Sequence, residues 1–284
     1  MLIDCLKIVQ DHDREIREIV ADLCNLGIRP KMCEILATNS QSAISYSETK
    51  RKKAEALGID YTAITFDKDV HQEQVLDKIH SLNEDSSVHG VLIGMPSYAH
   101  IDADLLVDAI DSIKDIDGLG SRNSYLLYSN QEHLGIAPAT ALAAIHIMNL
   151  HNTVAGKPVT LVGRGRTVGR PLAAMLVNRS ATLTVCHSKT PASQLEAAIR
   201  SAEVVITAMG VPGILSPDWF HDGQVVIDCG ISFIEGRTTG DIDSTAASNN
   251  GAFVTPVPKG VGAVTNSMIF GNLVRAVRLN KDMQ

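Results

Sequence analysis

The chain lacks the features that mark several large classes of protein. No stretch reaches the about 18 to 20 consecutive apolar residues that a membrane-spanning helix needs. The N-terminal segment MLIDCLKIVQDHDREIREIV carries charges throughout, whereas a signal peptide has an apolar centre. The net charge is −7, and the only basic run is KRKK at 50–53, which argues against nucleic-acid binding. We therefore expect a cytoplasmic protein that binds neither membrane nor nucleic acid.

Metal-binding and disulfide patterns are also missing. The ten histidines form no H-E-x-x-H pattern, and no C-x-x-C pair occurs among the five cysteines, Cys5, Cys24, Cys33, Cys186 and Cys229. We predict no metal site, and buried reduced thiols in place of disulfides. No low-complexity linker or internal repeat interrupts the 284 residues, a length that suits two domains of ordinary size.

The most informative segment that is present is VTLVGRGRTVGRP at 159–171. An apolar, β-branched run is followed by Gly163, Gly165 and Gly169, a G-x-G-x-x-x-G spacing one residue longer than the common dinucleotide fingerprint. Glycines let the backbone approach a pyrophosphate, which is attracted by free N–H groups and by the positive end of the next helix. The pattern predicts a dinucleotide site, with an ordinary strand-to-helix connection as the alternative.

The next strand, predicted at 181–186, indicates which dinucleotide is bound. An NAD site usually has an acid at this position, but here the strand is followed by His187, Ser188 and Lys189. With Arg164 and Arg166 in the glycine turn, these residues favour the 2′-phosphate of NADP, although exposed basic residues are often merely solvated. Further strands predicted at 203–208 and 224–228 indicate a Rossmann-type, doubly wound parallel sheet.

The first half of the chain also alternates helices and strands, so the fold class is α/β throughout. Helix 41–57 is predicted to begin at Ser40 or Ser42 and to end at Gly58. A helix at 140–150 is the predicted boundary between the two halves. The other predicted elements are helices at 11–26, 72–83, 102–113, 171–178 and 266–279, and strands at 32–37, 61–66 and 90–93.

Two groups of polar residues in this half are candidates for chemistry. Tyr46 and Lys50 stand one helical turn apart, so a stacking ring and an amine share one face. An exposed pair on a basic helix is the alternative. Asp115 and Asp117 lie in the segment KDIDG at 114–118, which is either an exposed turn or a turn that presents a carboxylate to a cleft.

Taken together, these motifs resemble the bifunctional methylenetetrahydrofolate dehydrogenase/cyclohydrolases of the FolD type. Seven motifs occur in the family's order across nearly the whole chain: Y-x-x-x-K-x-K at 46–52, KDIDG at 114–118, GRGRTVGRP at 163–171, CHSKT at 186–190, VIDCGI at 226–231, GDID at 240–243 and TPVPKGVGAVT at 255–265.

The resemblance implies a homodimer whose subunit has a folate cleft between two domains. The catalytic domain would comprise residues 1–138 plus 266–284, and the NADP-binding domain residues 139–265. Tyr46 would stack on the aminobenzoate ring of tetrahydrofolate derivatives, Lys50 would be the catalytic amine, and Asp117 would hydrogen-bond the pterin. The substrate loop would contain Pro256, Gly260 and Gly262. NADP would be held by Gly163, Arg164, Gly165, Arg166, Thr167, Val168, Gly169, Ser188 and Ile231, with Arg164 and Ser188 at the 2′-phosphate.

Departures from the family pattern cluster on the folate side. The usual V-Q-L-P-L-P is IGMPSY at 93–98, so the glutamine expected to contact the lysine is Gly94. Ala43 replaces a serine, GIAP at 135–138 replaces P-C-T-P, and the closing loop gains Lys259 and Ala263. The loss at Gly94 removes a partner that would orient Lys50. We also hypothesise that Lys259 replaces some of the lost polar contacts.

Three functions are compatible with the sequence. The first is NADP-dependent oxidation of 5,10-methylenetetrahydrofolate to the methenyl compound, followed by hydrolysis to 10-formyltetrahydrofolate. The second is a dehydrogenase with weak or absent cyclohydrolase activity, or one that acts on a different one-carbon or pterin-like substrate. The third is a non-catalytic NADP-binding paralogue, against which the presence of Tyr46 and Lys50 argues.

Overall fold

The computed structural model describes residues 1–95, 97–151, 154–234 and 236–282, so Pro96 of the IGMPSY segment lies outside the described residues. The chain forms two compact units. The three-stranded unit contains residues 12–139 and those from 269 onward, and the five-stranded unit contains residues 1–11 and 140–268. No helix within the described ranges is long and apolar enough to cross a membrane. The functional boundaries at 138/139 and 265/266 stay predictions.

The three-stranded unit has a parallel sheet with the order β2-β1-β3, so β1 is its central strand. Residues 32–36 of β1 are all buried. The elements of the first half of the chain are α1 (Cys5–Asn25), β1 (Lys31–Leu36), α2 (Gln41–Leu57), β2 (Asp60–Thr65), α3 (Gln72–Glu84), β3 (Gly90–Ile93), α4 (Ala103–Ala109), α5 (Ser121–Tyr128), a 3-10 turn (Glu132–Leu134) and α6 (Ala139–His151).

The five-stranded unit has a parallel sheet with the order β10-β7-β6-β4-β5. The predicted doubly wound α/β fold is confirmed. Its elements are β4 (Pro158–Val162), α7 (Gly169–Asn178), β5 (Thr182–Cys186), α8 (Ala192–Ser201), β6 (Val204–Thr207), a 3-10 turn (Pro217–Trp219), β7 (Val225–Asp228), the antiparallel hairpin β8 (Ser232–Ile234) and β9 (Arg237–Thr239), α9 (Ser244–Asn249), β10 (Phe253–Val254) and α10 (Val261–Asp282).

The strand order indicates where this sheet binds a ligand. From β4 the chain first adds β5 on one side and then crosses back to add β6 on the other. In doubly wound sheets, ligands bind outside the carboxyl ends of the strands at this reversal. The glycine turn that follows β4 lies at this position.

Helix α2 forms as predicted, and its buried face contains two polar residues. Ser40 caps its start by accepting from the Ala43 N–H, and Gly58 ends it in the left-handed conformation with φ 76°. Its buried residues follow the helical period and are Ala43, Ser47, Lys50, Ala54 and Leu57. The alternative of an exposed Tyr46–Lys50 pair is therefore wrong for Lys50.

Several sequence predictions need correction. The helix predicted at 102–113 ends at Ala109 because Ile110 is extended and the Asp111 side chain accepts from the Ile113 N–H. The helix predicted at 266–279 begins earlier, at Val261, despite its glycines. All five cysteines are free, but Cys24 is exposed, so the prediction of buried thiols fails there. Helices α5, α8 and α9 and the hairpin β8–β9 were missed.

Candidate active site

A buried ion pair joins α2 to the central strand of the three-stranded unit. The Lys50 Nζ lies 2.8 Å from the Glu34 Oε1, and the two residues are only 3% and 0% exposed. Removing two charges from water is costly, so such a pair persists only where each charge meets its partner closely. The structure therefore holds the Lys50 amine in a defined position beside β1.

Aromatic and hydroxyl groups surround this ion pair. The Lys50 Nζ lies 4.0 Å from the centroid of the Tyr46 ring, which is a cation–π contact. Tyr46 is 41% exposed, so part of the residue remains open to solvent. The Tyr61 hydroxyl donates a short hydrogen bond to the Glu34 Oε2 and lies 2.7 Å from the Ser47 Oγ. Glu34 thus has one partner on each carboxylate oxygen.

The two tyrosine hydroxyls stay protonated at neutral pH. Burial raises the pKa of Tyr46 to about 12, and the negative charges of Asp117 and Glu34 add to this effect. Burial also raises the pKa of Tyr61, followed by its hydrogen bond to Glu34. Tyr61 therefore acts as a donor that fixes the Glu34 carboxylate.

The KDIDG segment contains two structural residues ahead of the candidate Asp117. The Lys114 Nζ donates to the carbonyls of residues 82, 83 and 85 at 2.7–2.9 Å. The buried Asp115 accepts from the N–H groups of Gly118 and Gly120 and from the Asn123 amide. The motif is a tightly bonded turn, so the alternative of a freely exposed loop is wrong.

Asp117 is the ionisable residue that this turn brings near Lys50. Burial raises its pKa to about 7, the negative charge of Asp115 adds to the shift, and the positive charge of Lys50 opposes it. Asn272 of α10 holds the turn by donating to the carbonyls of Ile116 and Ala137, both at 2.9 Å. Tyr46, Lys50 and Asp117, which the family resemblance assigns to one site, all belong to the three-stranded unit, and the charges of Lys50 and Asp117 influence the neighbouring groups.

This arrangement suits acid–base chemistry on a flat, partly aromatic ligand. It offers a positioned amine, a carboxyl group that changes protonation near neutral pH, and an aromatic ring for stacking. Groups with these properties are typical of sites that move protons during hydrolysis.

The glycine turn of the five-stranded unit depends on close backbone packing. Gly163 has φ 124°, and a Cβ there would lie 2.3 Å from the Ala208 carbonyl oxygen after β6. A Cβ on Gly169 would lie 2.5 Å from the Gly163 carbonyl oxygen. A Cβ on Gly165 would meet nothing within 4 Å, so the backbone there faces open space that suits a phosphate group.

The predicted NADP contacts lie along one edge of this sheet. Arg164, Arg166 and Thr167 are exposed between β4 and the start of α7 at Gly169. Val162 and Cys186 are paired in register, so the turns that follow β4 and β5 are neighbours. The second turn is held by a hydrogen bond from the His187 N–H to the Thr190 hydroxyl, 3.0 Å long, and it leaves Ser188 exposed. Hydroxyl and guanidinium groups and a helix N-terminus therefore lie at the same edge of the sheet, where such groups are typical of phosphate binding.

Two buried aspartates shape the next loops along the same edge. Asp228 accepts from the N–H groups of Gly230 and Ile242, and Asp241 accepts from those of Met209 and Val211. Burial raises the pKa of Asp228 to about 6, with the charge of Asp241 adding to the shift. These contacts explain the VIDCGI and GDID motifs structurally.

Ile231, a predicted cofactor contact, directly follows the Asp228-held turn. It is 53% exposed, and a Cβ on Gly262 would lie 3.6 Å from its Cδ1. An exposed apolar residue at the carboxyl edge of the sheet suits contact with a flat ring.

The predicted substrate loop belongs to the five-stranded unit. Gly260 packs tightly, since a Cβ there would overlap the Pro256 carbonyl oxygen. Lys259 adopts φ 70°, the left-handed conformation that glycine prefers. The contribution of Pro256, Gly260 and Gly262 to substrate binding stays a prediction. Within the described residues, no cluster of three or more His, Cys, Asp or Glu side chains could hold a metal ion.

Sequence reasoning missed Glu34, Tyr61 and Asn272. The available signal for Glu34 was a lone acid inside the apolar strand KMCEIL, where a buried charge requires a partner. Tyr61 and Asn272 carried no comparable signal, because their partners lie on other elements of the unit.

Comparison with known proteins gives consistent matches over both halves. Residues 3–117 match the family model of the catalytic domain of tetrahydrofolate dehydrogenase/cyclohydrolase. Residues 138–281 match the model of the NAD(P)-binding domain of the same family. A bifunctional protein FolD of Thermotoga maritima is 37% identical over 278 residues, covering 97% of this chain and 98% of the relative. One from Exiguobacterium is 35% identical over 274 residues, with coverages of 96% and 97%.

Solved structures agree with these matches. The bifunctional enzyme FolD from Campylobacter jejuni superposes with a TM-score of 0.94 at 33% identity, covering 99% of both chains. The Trypanosoma brucei FolD, solved with NADP cofactor and an inhibitor, has a TM-score of 0.92 at 30% identity, covering 100% of this chain and 98% of that one.

Proposed function

Because this chain belongs to the tetrahydrofolate dehydrogenase/cyclohydrolase family, we propose that it oxidises 5,10-methylenetetrahydrofolate and hydrolyses the methenyl product to 10-formyltetrahydrofolate. The observation that carries this proposal is the buried Lys50, held against Glu34 and over the Tyr46 ring with Asp117 nearby. A protein that only binds a dinucleotide has no need for this set of groups.

We propose NADP as the cofactor in preference to NAD. Arg164 and Ser188 bind the 2′-phosphate, while the turn from Gly163 to Gly169 and the N-terminus of α7 receive the pyrophosphate. When bound, NADP supplies the acceptor for the hydride that leaves the one-carbon unit. The absence of an acid at the end of β5 supports NADP over NAD, and the open space at Gly165 supports the pyrophosphate site that both cofactors share.

The residues of the three-stranded unit act on the folate. Tyr46 stacks on the aminobenzoate ring, and Asp117 hydrogen-bonds the pterin. Water adds to the methenyl carbon and loses one proton to solvent; the bond from that carbon to one folate nitrogen then breaks, and the hydroxyl proton passes to this nitrogen to give the formyl product. Lys50 orients the attacking water and polarises the intermediate as the ring opens. Pro256, Gly260 and Gly262 close the folate end. In functional terms, residues 1–138 plus 266–284 form the catalytic domain and residues 139–265 the NADP-binding domain.

We also propose a cytoplasmic homodimer, on the basis of the family resemblance. Sedimentation of the purified chain at micromolar concentration tests the assembly. A mass of twice 30.5 kDa is expected, and a monomer would contradict it.

A coupled spectroscopic assay tests the activity. Purified protein is mixed with methylenetetrahydrofolate and either NADP or NAD, and the reduced cofactor and the methenyl product are followed separately. Reduced NADP without accumulated methenyl supports both steps. Accumulated methenyl indicates a dehydrogenase with weak or absent cyclohydrolase, and the absence of both signals overturns the proposal.

Cofactor choice is tested with Arg164→Ala. Loss of one charge-assisted contact is expected to raise the KM for NADP about tenfold and to leave that for NAD unchanged. Arg200→Ala is the matched control, because Arg200 is an exposed arginine of the same unit in the last turn of α8, before the amino end of β6. Equal effects on NADP and NAD would contradict the 2′-phosphate assignment.

A further inference from the structure

We propose that Glu34 is the positioning residue for Lys50 and that its carboxylate takes the place of the amide that is missing at residue 94. The inference rests on the proposed function and concerns its hydrolytic step. It implies that hydrolysis survives the departure at Gly94, because Lys50 has gained a different partner.

Glu34 has the placement that a positioning residue requires. It lies in the middle of the central strand β1, is fully buried, and pairs through one oxygen with the Lys50 Nζ at 2.8 Å. Its other oxygen accepts from the Tyr61 hydroxyl, which in turn lies 2.7 Å from Ser47. Ser47 and Lys50 lie on the same buried face of α2. The carboxylate is therefore bonded on one side and presents its remaining oxygen to the amine.

Gly94 leaves the space that this carboxylate uses. The Gly94 N–H donates to the Ile35 carbonyl at 2.8 Å, which holds residue 94 beside β1. A Cβ on Gly94 would lie 2.3 Å from the Leu36 Cδ2 and 3.3 Å from the Glu34 Oε1. A glutamine at residue 94 and a glutamate at residue 34 would thus compete for one volume. Glycine at 94 permits the Glu34–Lys50 pair.

The exchange preserves the geometry of the amine while changing the chemistry of its partner. An amide oxygen and a carboxylate oxygen both accept a hydrogen bond from an amine. The carboxylate also neutralises the ammonium charge in a buried place, as an amide does not. Glu34 acts through Lys50, so its loss is expected to lower kcat for hydrolysis much more than it changes the KM for the folate.

The test compares hydrolysis of methenyltetrahydrofolate by four variants with that of the wild type. Glu34→Leu is expected to lower kcat about 100-fold with KM changed less than threefold, while Glu34→Gln, which keeps an acceptor oxygen, stays within about tenfold of wild type. Gly94→Gln alone is expected to be impaired because its side chain competes with the Glu34 carboxylate, whereas the Leu36 Cδ2 is the end of a flexible side chain and is able to move aside in both Gly94→Gln variants. The double variant Glu34→Val/Gly94→Gln is expected to recover to within about tenfold of wild type, because the amide enters the emptied space.

A neighbouring ion pair provides the matched control. Lys53 lies three residues beyond Lys50 on α2, and its Nζ lies 2.9 Å from the Asp13 Oδ1 in a partly buried pair. Asp13 belongs to α1, so Asp13→Leu removes the carboxylate that pairs with the neighbouring lysine of α2 and changes neither Lys50 nor Gly94. It is expected to leave kcat for hydrolysis unchanged.

The outcomes separate this inference from the proposed function. If Glu34→Leu hydrolyses methenyltetrahydrofolate with the kcat of the wild type, the inference is overturned. It is also overturned if the double variant folds but is no more active than Glu34→Leu. If Glu34→Leu does not fold, the kcat of the double variant is compared with that of Gly94→Gln. A folded double variant whose kcat is no higher than that of Gly94→Gln then overturns the inference. NADP reduction with accumulating methenyl in the wild type overturns the inference but retains the dehydrogenase, whereas inactivity in both steps overturns both proposals.

Discussion

In the three-stranded unit the predicted catalytic residues are buried or half-buried side chains, whereas in the five-stranded unit the predicted NADP residues form an exposed backbone turn. Lys50 depends on a charged partner, Glu34, on another element. The glycine turn depends on the absence of side chains at Gly163 and Gly169, where any Cβ would meet the backbone.

This difference explains where the chain departs from its family pattern. A backbone turn fixed by close packing has no substitute for its glycines, and here the GRGRTVGRP motif keeps them. A side-chain site only needs a group of suitable chemistry in the right volume, which a neighbouring strand is able to provide. The missing glutamine at residue 94 and the lone glutamate at residue 34 are accordingly two parts of one change.

The largest expected effect comes from removing the amine itself. Lys50→Met is expected to lower hydrolysis about 1,000-fold because the amine that orients the water and polarises the intermediate is lost. It also leaves Glu34 buried without its cation, which is expected to lower the free energy of unfolding by about 3–5 kcal/mol. Measurements of kcat and of urea unfolding test both effects.

The matched double variant is Glu34→Leu/Lys50→Met. With both charges of the pair removed, most of the lost stability should return while hydrolysis stays absent. Additive losses of stability in the double variant would contradict the pairing.

Gly163→Ala tests the backbone-built site. The added Cβ would lie 2.3 Å from the Ala208 oxygen at φ 124°, so we expect about 100-fold weaker NADP binding and about 2–4 kcal/mol lower stability. Hydrolysis of methenyltetrahydrofolate without NADP should persist, because Lys50 belongs to the other unit. Calorimetric titration and the hydrolysis assay check these results.

The control at the same turn is Gly165→Ala. Its Cβ meets no protein atom within 4 Å, so the free energy of unfolding should stay within about 0.5 kcal/mol of wild type. Equal destabilisation by both alanines would refute the packing argument.

Asp117→Asn tests the titrating group beside Lys50. The pKa of Asp117 is raised to about 7 in the folded protein. Between about pH 4 and pH 7, Asp117 is therefore protonated in the folded protein and ionised in the unfolded chain. Its contribution therefore lowers the free energy of unfolding as pH rises through this range. The pKa of Asp117 is influenced by the charges of Asp115, Lys50 and Glu34. The charge of Asp117 in turn raises the pKa of Tyr46.

Since asparagine does not titrate, we expect the variant to gain roughly 2.5 kcal/mol relative to wild type between pH 5 and pH 8. Urea unfolding of both proteins at the two pH values measures this double difference. If the difference in unfolding free energy between the two proteins is the same at both pH values, the pKa of Asp117 is not raised.

The smallest effect is expected at Lys259. Because its φ is 70°, Lys259→Gly should raise the free energy of unfolding by about 1 kcal/mol. Lys259→Ala keeps the strained backbone and should give no gain. If Lys259→Ala also leaves the folate KM and both rates unchanged, the hypothesis that Lys259 replaces lost polar contacts is wrong.

The sequence predicts local features well and partnerships between elements poorly. The α2 caps and the strands before the glycine turn follow from residue types at fixed spacing, and the structure confirms them. The Tyr46–Lys50 spacing identifies a shared face but not whether that face is buried. Burial depends on β1 and β2, which pack against α2.

The short elements were missed for a related reason. Helix α9 and the hairpin strands β8 and β9 have three to six residues each, too few for a hydrophobic period to emerge. Glu34 was visible as an unusual residue, but its meaning depended on Gly94, sixty residues away in the sequence and adjacent in space.

Helix α10 makes the protein a poor candidate for separation into modules. Residues 261–268 belong to the five-stranded unit, and the same helix then supplies Asn272, which holds the Asp117 turn of the three-stranded unit. Residues 1–11 likewise belong to the five-stranded unit although the next residues belong to the other. No single cut in the chain yields two complete fragments, so each fragment made by one cut is expected to lack part of a unit.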